Sequence, residues 1–240
     1  MVKRIVVLVS GVIVALSGIL TLQAPAAPNA SAAPRCADVH VLFARGTAET
    51  APPLGVTGIA FENSLRNRIK GDSVRVEPVN YPASSNFSNK LEFAETFVTG
   101  VKYAQKRVRQ IAAACPKTDI VVGGYSQGGA LAAYTVADSY DIPASYADYR
   151  QYAPKPMSAE LADHVAAVVL FAPPSARFLK DAGAPTMRVG KAYAGKTIRF
   201  CTQGDTICNG APLAGPNALH LLYPVNGSTH RAAAYVARRV

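Results

Sequence analysis

The stretch from Asp119 to Ala133, Asp-Ile-Val-Val-Gly-Gly-Tyr-Ser-Gln-Gly-Gly-Ala-Leu-Ala-Ala, constrains the fold more than any other part of the chain. A β-branched run, Ile120 to Val122, gives way to glycines around Ser126, and Ala- and Leu-rich helix-forming sequence follows. Gly124-Tyr-Ser-Gln-Gly128 therefore reads as G-x-S-x-G between a strand and a helix, the sharp turn that lifts a serine hydroxyl above the end of a sheet. The backbone of such a turn is strained, and side chains at its glycines would collide with the strand or helix beside them. Ser126 then stands at a helix N-terminus, with the N–H of Gln127 free to donate to a developing oxyanion. A bare G-x-S-x-G is a weak pattern. An Asp and then a His further along, in the order Ser…Asp…His, make it a strong one and imply a nucleophilic serine.

Acyl chemistry at serine needs a base for the hydroxyl proton and a carboxylate to orient that base. Of the four histidines, His40 lies within the first strand and His164 just before another, both poorly placed for a strand-end loop. His220 and His230 follow the last strand. His220 comes after the Gly- and Pro-rich apolar loop Gly210 to Leu219, expected to be mobile and to stand beside the site, so it is the better base; His230 reads as a solvated residue at the start of the terminal helix. Asp205, just past the C-terminal end of a strand, is the expected acid, since functional groups of parallel sheets gather at that end. Arg45-Gly-Thr47 follows an early strand and has a glycine for close backbone approach, so Thr47 is the expected second oxyanion donor, by its N–H and hydroxyl. Ala211 to Leu219 is expected to wall the acyl site.

The rest of the chain alternates strands and helices. Strand patterns fall at Val39–Phe43, Val74–Glu77, Val165–Phe171 and Thr197–Cys201 besides the one before Ser126. Pro and Gly break the chain as far as Gly58, and Phe61, Leu65 and Ile69 then follow at helical spacing until Gly71. The longest helix is expected from Leu91 to Cys115, its apolar stripe formed by Ala94, Val98, Val101, Val108, Ile111 and Ala112. Tyr81 to Asn89 reads as a polar loop, and Tyr140 to Pro156 as an irregular segment packed across the surface. A terminal helix begins near Thr229. With 240 residues, half of them hydrophobic, this is one α/β domain with a central parallel sheet covered by helices on both faces.

Met1 to Ala32 has the form of a secretory signal: Lys3 and Arg4, an apolar run from Ile5 to Leu22, and Ala30-Ser-Ala32 for cleavage. Because the apolar run approaches membrane-spanning length, an uncleaved anchor is the alternative. Export would suit the four cysteines, Cys36, Cys115, Cys201 and Cys208, as two disulfides. Four cysteines allow three pairings, and sequence alone does not choose among them. Cys201 and Cys208 are close enough to close on themselves, which would leave Cys36 with Cys115. A zinc site lacks the C-x-x-C or H-x-x-x-H pair it would need. The net charge of +10 comes from dispersed Lys and Arg with no nucleic-acid-binding signature, so contact with an anionic envelope surface is the more natural reading.

Taken in order, these segments resemble the cutinase family. Ala44-Arg-Gly-Thr47 followed by Glu49, the Gly124–Gly128 elbow, an acid enclosed between Cys201 and Cys208, and His220-Leu-Leu-Tyr223 match its pattern over nearly all of residues 36–240. The resemblance implies a small lidless α/β-hydrolase domain over residues 33–240, with Ser126, Asp205 and His220 as triad and Thr47 and Gln127 as oxyanion hole. It implies disulfides Cys36–Cys115 and Cys201–Cys208, no metal or organic cofactor, and a monomer. Thr47 stands where plant-pathogen members commonly have Ser, and the polar loop Tyr81–Asn89 replaces an apolar polymer-binding one. The chain is more similar to secreted bacterial cutinase-like proteins. The expected activity is hydrolysis of short- to medium-chain acyl esters, with a phospholipase, an acyltransferase on the same triad, or a non-catalytic surface protein as alternatives.

Overall fold

The computed structural model describes residues 36–49 and 53–240; the expected leader, Met1 to Ala32, lies outside them. The elements run β1 (Val39–Ala44), α1 (Gly55–Arg68), β2 (Val74–Pro78), α2 (Lys90–Ala114), β3 (Asp119–Tyr125), α3 (Gln127–Thr135), β4 (Val165–Phe171), α4 (Ala176–Asp181), α5 (Lys191–Ala194), β5 (Thr197–Phe200) and α6 (Ser228–Val236). 3-10 stretches cover Ala144–Tyr152 (kinked at Tyr146), Ala159–His164 and Ala218–Leu221.

The five strands form one parallel sheet in the order β2-β1-β3-β4-β5. Every residue of β1 is buried, as expected for a strand with helices against both faces. Alternate residues divide two cores. Val39, Val41, Phe43, Val121, Val169 and Phe171 pack with Phe61 and Leu65 of α1 and Ala232 and Val236 of α6. Leu42, Ile120, Val122, Val168 and Leu170 pack with Val101 and Val108 of α2 and Leu131 of α3. From β1 the chain moves outward to β2 and then returns across to β3. The crevice between the C-terminal ends of β1 and β3 is thus the point where strand order reverses, the usual ligand site of an open α/β sheet.

Two elements depart from expectation. Helix α1 starts at Gly55, three residues before the expected break ends. Gly55 turns the chain at a φ of 67°, and the Glu49 carboxylate accepts the N–H of Val56 at 3.0 Å, so the cap comes from an acid read only as part of a motif. Helix α2 has its expected length, and Asn89 and Glu92 cap it reciprocally: Glu92 N–H to Asn89 Oδ1 at 3.2 Å, Asn89 Nδ2 to the Glu92 carboxylate at 2.9 Å. Its apolar stripe, however, is only partly in the core. Val101, Val108, Ile111 and Ala112 are buried, whereas Ala94 is exposed and Val98 half-buried. The first ten residues of α2, from Lys90 to Thr99, contain no buried residue and overhang the core except at Phe97, which packs against it.

Cys36 pairs with Cys115 and Cys201 with Cys208. The first bridge joins the start of β1 to the end of α2; the second closes a loop around Asp205. At the β2 edge, Glu77 receives His40 Nε2 at 3.2 Å and two Arg107 nitrogens at 2.7 and 2.8 Å. Burial lowers the His40 imidazole from its usual range, outweighing the attraction of Glu77. His40 is therefore a core residue of that edge, away from the C-terminal crevice.

Candidate active site

Ser126 caps α3 with φ 54° and ψ −118°, a backbone region L residues rarely occupy. The strain is held from both sides. Ser126 N–H donates to the Phe171 carbonyl at the end of β4 at 2.9 Å, and its own carbonyl accepts the first helical bond from Ala130 at 3.1 Å. A Cβ on Gly124 would come within 2.1 Å of the Gly128 carbonyl oxygen, and one on Gly128 within 2.0 Å of the Ala44 carbonyl oxygen. Only glycine lets strand, turn and helix close to that distance.

The Ser126 Oγ lies 2.8 Å from His220 Nε2, and His220 Nδ1 lies 2.9 and 3.0 Å from the two oxygens of Asp205. With Nδ1 protonated toward the carboxylate, Nε2 is left as the acceptor for the serine proton. Asp205 is fully buried. Burial alone would raise its carboxyl, but hydrogen bonds from His220, Tyr223 and the Ile207 N–H outweigh burial and hold it below the ordinary carboxylate range. Tyr223 Oη donates to Asp205 Oδ2 at 2.7 Å and accepts the Thr202 N–H at 2.8 Å. Burial pushes the Tyr223 phenol up to about 12, so it remains a donor.

His220 sits on a short turn at the end of the Gly- and Pro-rich loop. It is buried on the 3-10 turn Ala218–Leu221, its carbonyl accepts Tyr125 Oη at 2.7 Å, and its ring centroid lies 5.1 Å from that of Tyr125. The tyrosine inside the serine motif thus holds the turn that carries His220. His230 is exposed on α6.

Thr47 and Gln127 meet across the crevice, the Thr47 hydroxyl donating to Gln127 Oε1 at 3.3 Å. Gln127 opens α3, where first-turn N–H groups have no partner within the helix. The loop carrying Thr47 is pinned from beneath. Gly46 N–H donates to Glu49 Oε2 at 2.6 Å, Arg45 Nη2 to the Pro82 carbonyl at 3.1 Å, and Tyr81 Oη to the Arg45 carbonyl. Glu49 fits because Gly46 and Gly55 have no Cβ: one would stand 3.1 and 2.2 Å from its carboxylate oxygen. Glu49, Tyr125 and Tyr223 are functional neighbours whose roles the sequence left unassigned, although each lies within a segment singled out there.

From Ser126 a cleft of about 1460 Å³ opens between the overhang of α2 and the Tyr140–Pro154 segment. Leu213, Ala214 and Pro216 of the expected acyl-site loop line it; Ala211 and Leu219, at the two ends of that loop, do not. Phe87, from the loop read as polar, also lines it and is exposed.

A parallel sheet with a strained serine on the turn after its central strand and a buried His–Asp pair beside it defines the α/β-hydrolases. The chain is 36% identical over 242 aligned residues to the carboxylesterase Culp1 of Mycobacterium tuberculosis, covering all of this chain and 98% of that one. It is 38% identical over 239 residues to the phospholipase Culp4 of the same organism, covering 99% and 92%. A solved Trichoderma reesei cutinase bound to a phosphonate inhibitor superposes with a TM-score of 0.59 at 27% identity, covering 85% of this chain and 76% of that one. The family model of cutinases matches residues 35–240, and the chain belongs to the cutinase family of carboxylic ester hydrolases.

Proposed function

We propose that the chain is a secreted serine carboxylic-ester hydrolase working through an acyl-enzyme, with Ser126 as nucleophile, His220 as base, Asp205 as the acid that orients it, and Thr47 and Gln127 as oxyanion donors. The observation that carries this reading is the unbroken line of hydrogen bonds from Ser126 Oγ through His220 to buried Asp205. His220 Nε2 takes the hydroxyl proton as Oγ attacks the ester carbonyl carbon. Asp205 keeps Nδ1–H in place and stabilises the imidazolium that forms. Backbone N–H groups of Thr47 and Gln127 hold the tetrahedral oxyanion, which collapses as His220 returns the proton to the departing alkoxide. Water then attacks the acyl group on Ser126 by the same route, releasing the acid and restoring the hydroxyl. Short- to medium-chain acyl esters are the substrates expected next to Ser126.

The likeness to the phospholipase Culp4 favours a second reading on the same machinery, hydrolysis of an envelope phospholipid. Export is supported by the signal-like Met1–Ala32 and by two disulfides. Among the described residues no helix is long and apolar enough to cross a membrane. Residues 33–240 would be the mature domain. Hydrolysis of p-nitrophenyl esters from acetate to palmitate tests the reading, with Ser126→Ala as control. Turnover absent from the variant is expected; a Ser126→Ala protein that keeps full activity would refute it.

A further inference from the structure

We infer that the side chain of Gln127, as distinct from its backbone N–H, is a positioning residue of the oxyanion site: its carboxamide decides whether the Thr47 hydroxyl proton is held away from a reacting ester or turned toward it. This deepens the ester-hydrolase reading and rests on it.

Gln127 is only 6% exposed and lines the cleft beside Ser126. Its Oε1 accepts the Thr47 hydroxyl at 3.3 Å, long for an O–H···O bond, whereas its Nε2 has no hydrogen-bond partner among the described residues. A buried amide donor left unpaired is costly, and at the edge of a cleft it points to a second arrangement in which it is used. The surroundings of the pair are held from both sides. Gly128 lets the start of α3 close on the Ala44 carbonyl, and Glu49 holds the loop that carries Thr47 through the N–H of Gly46. The packing that sets the two backbones across the crevice therefore sets the contact between their side chains too.

A threonine hydroxyl has a single proton to give. While Gln127 Oε1 accepts it, that proton is not available to a substrate. If the hydroxyl alone swung round, Oγ1 and Oε1 would face each other as two acceptors with no proton between them. A half-turn of the terminal amide removes the conflict: Nε2 donates to Thr47 Oγ1, and the hydroxyl proton is released to the tetrahedral oxyanion. The two ends of a carboxamide are nearly alike in shape, and its last torsion is broad and roughly two-fold, so the turn needs no backbone movement. Either orientation leaves one end of the amide unpaired, so what the hydroxyl meets decides between them. In the free site the long bond to Oε1 is the better choice. Once negative charge forms on the substrate oxygen, a charge-assisted O–H···O⁻ bond outweighs it. Gln127 thus offers one donor from its backbone and brings in another, the Thr47 hydroxyl, through its side chain. That second contribution appears only as charge develops, which is where stabilisation raises the rate. A glutamate at this position would accept the hydroxyl with either oxygen and set a second negative charge beside the oxyanion.

The test is a double-mutant cycle on kcat and KM for p-nitrophenyl butyrate, using the full-length protein, Thr47→Val, Gln127→Met and the double variant. Met is close to Gln in length and bulk, and every member of the cycle keeps the backbone N–H groups. Thr47→Val should lower kcat by roughly 10²-fold with little change in KM, and Gln127→Met by roughly tenfold. The double variant should be no slower than Thr47→Val, because the amide acts only through the hydroxyl. Thr47→Ser, which keeps a hydroxyl, should retain most of the rate and stay as sensitive to Gln127→Met as the unmodified protein. Gln127→Glu should be slower than Gln127→Met, and the same cycle run with it decides the question if Gln127→Met does not fold. A Gln127→Met protein with unaltered kcat would overturn the inference. So would the same loss recurring in the Thr47→Val background, which marks a packing role alone. Both outcomes leave ester hydrolysis at Ser126 intact. Absence of turnover in the unmodified protein would instead fail the esterase reading itself, and this inference with it.

Discussion

On the His220 side of Ser126, buried polar groups are joined by hydrogen bonds near 3 Å; on the α2 side, the wall is mostly apolar and partly made of a kinked 3-10 segment. The difference follows from what each side has to do. In the proposed mechanism, proton transfer and oxyanion binding require donor and acceptor within a few tenths of an ångström, and the chain there is pinned by glycines, a disulfide and a carboxylate with three donors. An apolar wall requires only non-directional contact area. One side is fixed by geometry and the other by composition.

The comparison breaks most visibly at the polar side. His220→Ala should lower kcat by roughly 10⁴- to 10⁶-fold in single-turnover or steady-state assays. Asp205→Asn should cost roughly 10³- to 10⁴-fold, because an amide favours the wrong imidazole tautomer. Tyr223→Phe, which removes one of the donors to Asp205, should cost less in rate and about 1–3 kcal/mol in urea denaturation. Glu49→Gln keeps the shape of the carboxylate but weakens its hold on Gly46 and Val56. A fall in kcat of roughly tenfold with KM nearly unchanged is expected, since the oxyanion donors are displaced and not removed.

The two disulfides sharpen the same contrast. Cys36→Ser with Cys115→Ser frees a span of 79 residues and should cost about 4–5 kcal/mol of stability while leaving the chemistry in place. Cys201→Ser with Cys208→Ser frees only 7 and should cost about 2–3 kcal/mol, yet reduce kcat more, because Asp205 lies in that loop. Melting curves and ester hydrolysis on the two double variants separate the effects.

The smallest expected effect is on stability in acid. The folded imidazole of His40 sits below 6.5, so the unfolded chain takes up that proton first and stability starts to fall as pH drops through 6.5. Asp205, lowered from 3.8, contributes stability that is present above 3.8 and is lost as pH falls through its folded value. Urea midpoints measured from pH 7.5 downward should begin to fall below 6.5 and fall further below 3.8, and His40→Gln should remove the first decline.

Much of the fold was legible in the sequence because its signals are local. The five strands are short β-branched or apolar runs bounded by turn residues, and the turn at Ser126 is spelled out by glycines that no other residue can replace. Ser126 and Asp205 stood out because each follows the end of a strand pattern, and His220 because a Gly- and Pro-rich loop precedes it. What stayed hidden depends on partners distant in sequence. Glu49 and Tyr223 stand in the sequence only as members of motif segments; the role of Glu49 depends on Gly46 and Gly55 closing around its carboxylate, and that of Tyr223 on Asp205, 18 residues upstream. The overhang of α2 was hidden for a different reason: periodicity reports an apolar face but not whether a core or a cleft lies against it. The short helices α4 and α5 carry too few residues to show any period.

The central claim is that Ser126 is the residue acylated during turnover. Intact-mass and peptide mass spectrometry of the protein, quenched during hydrolysis of a slowly released ester or after treatment with a fluorophosphonate, tests it directly. One adduct on the peptide containing Gly124-Tyr-Ser-Gln-Gly128, absent from Ser126→Ala and greatly slowed in His220→Ala, is the predicted result. An adduct on another residue, or steady ester turnover in Ser126→Ala, would contradict it.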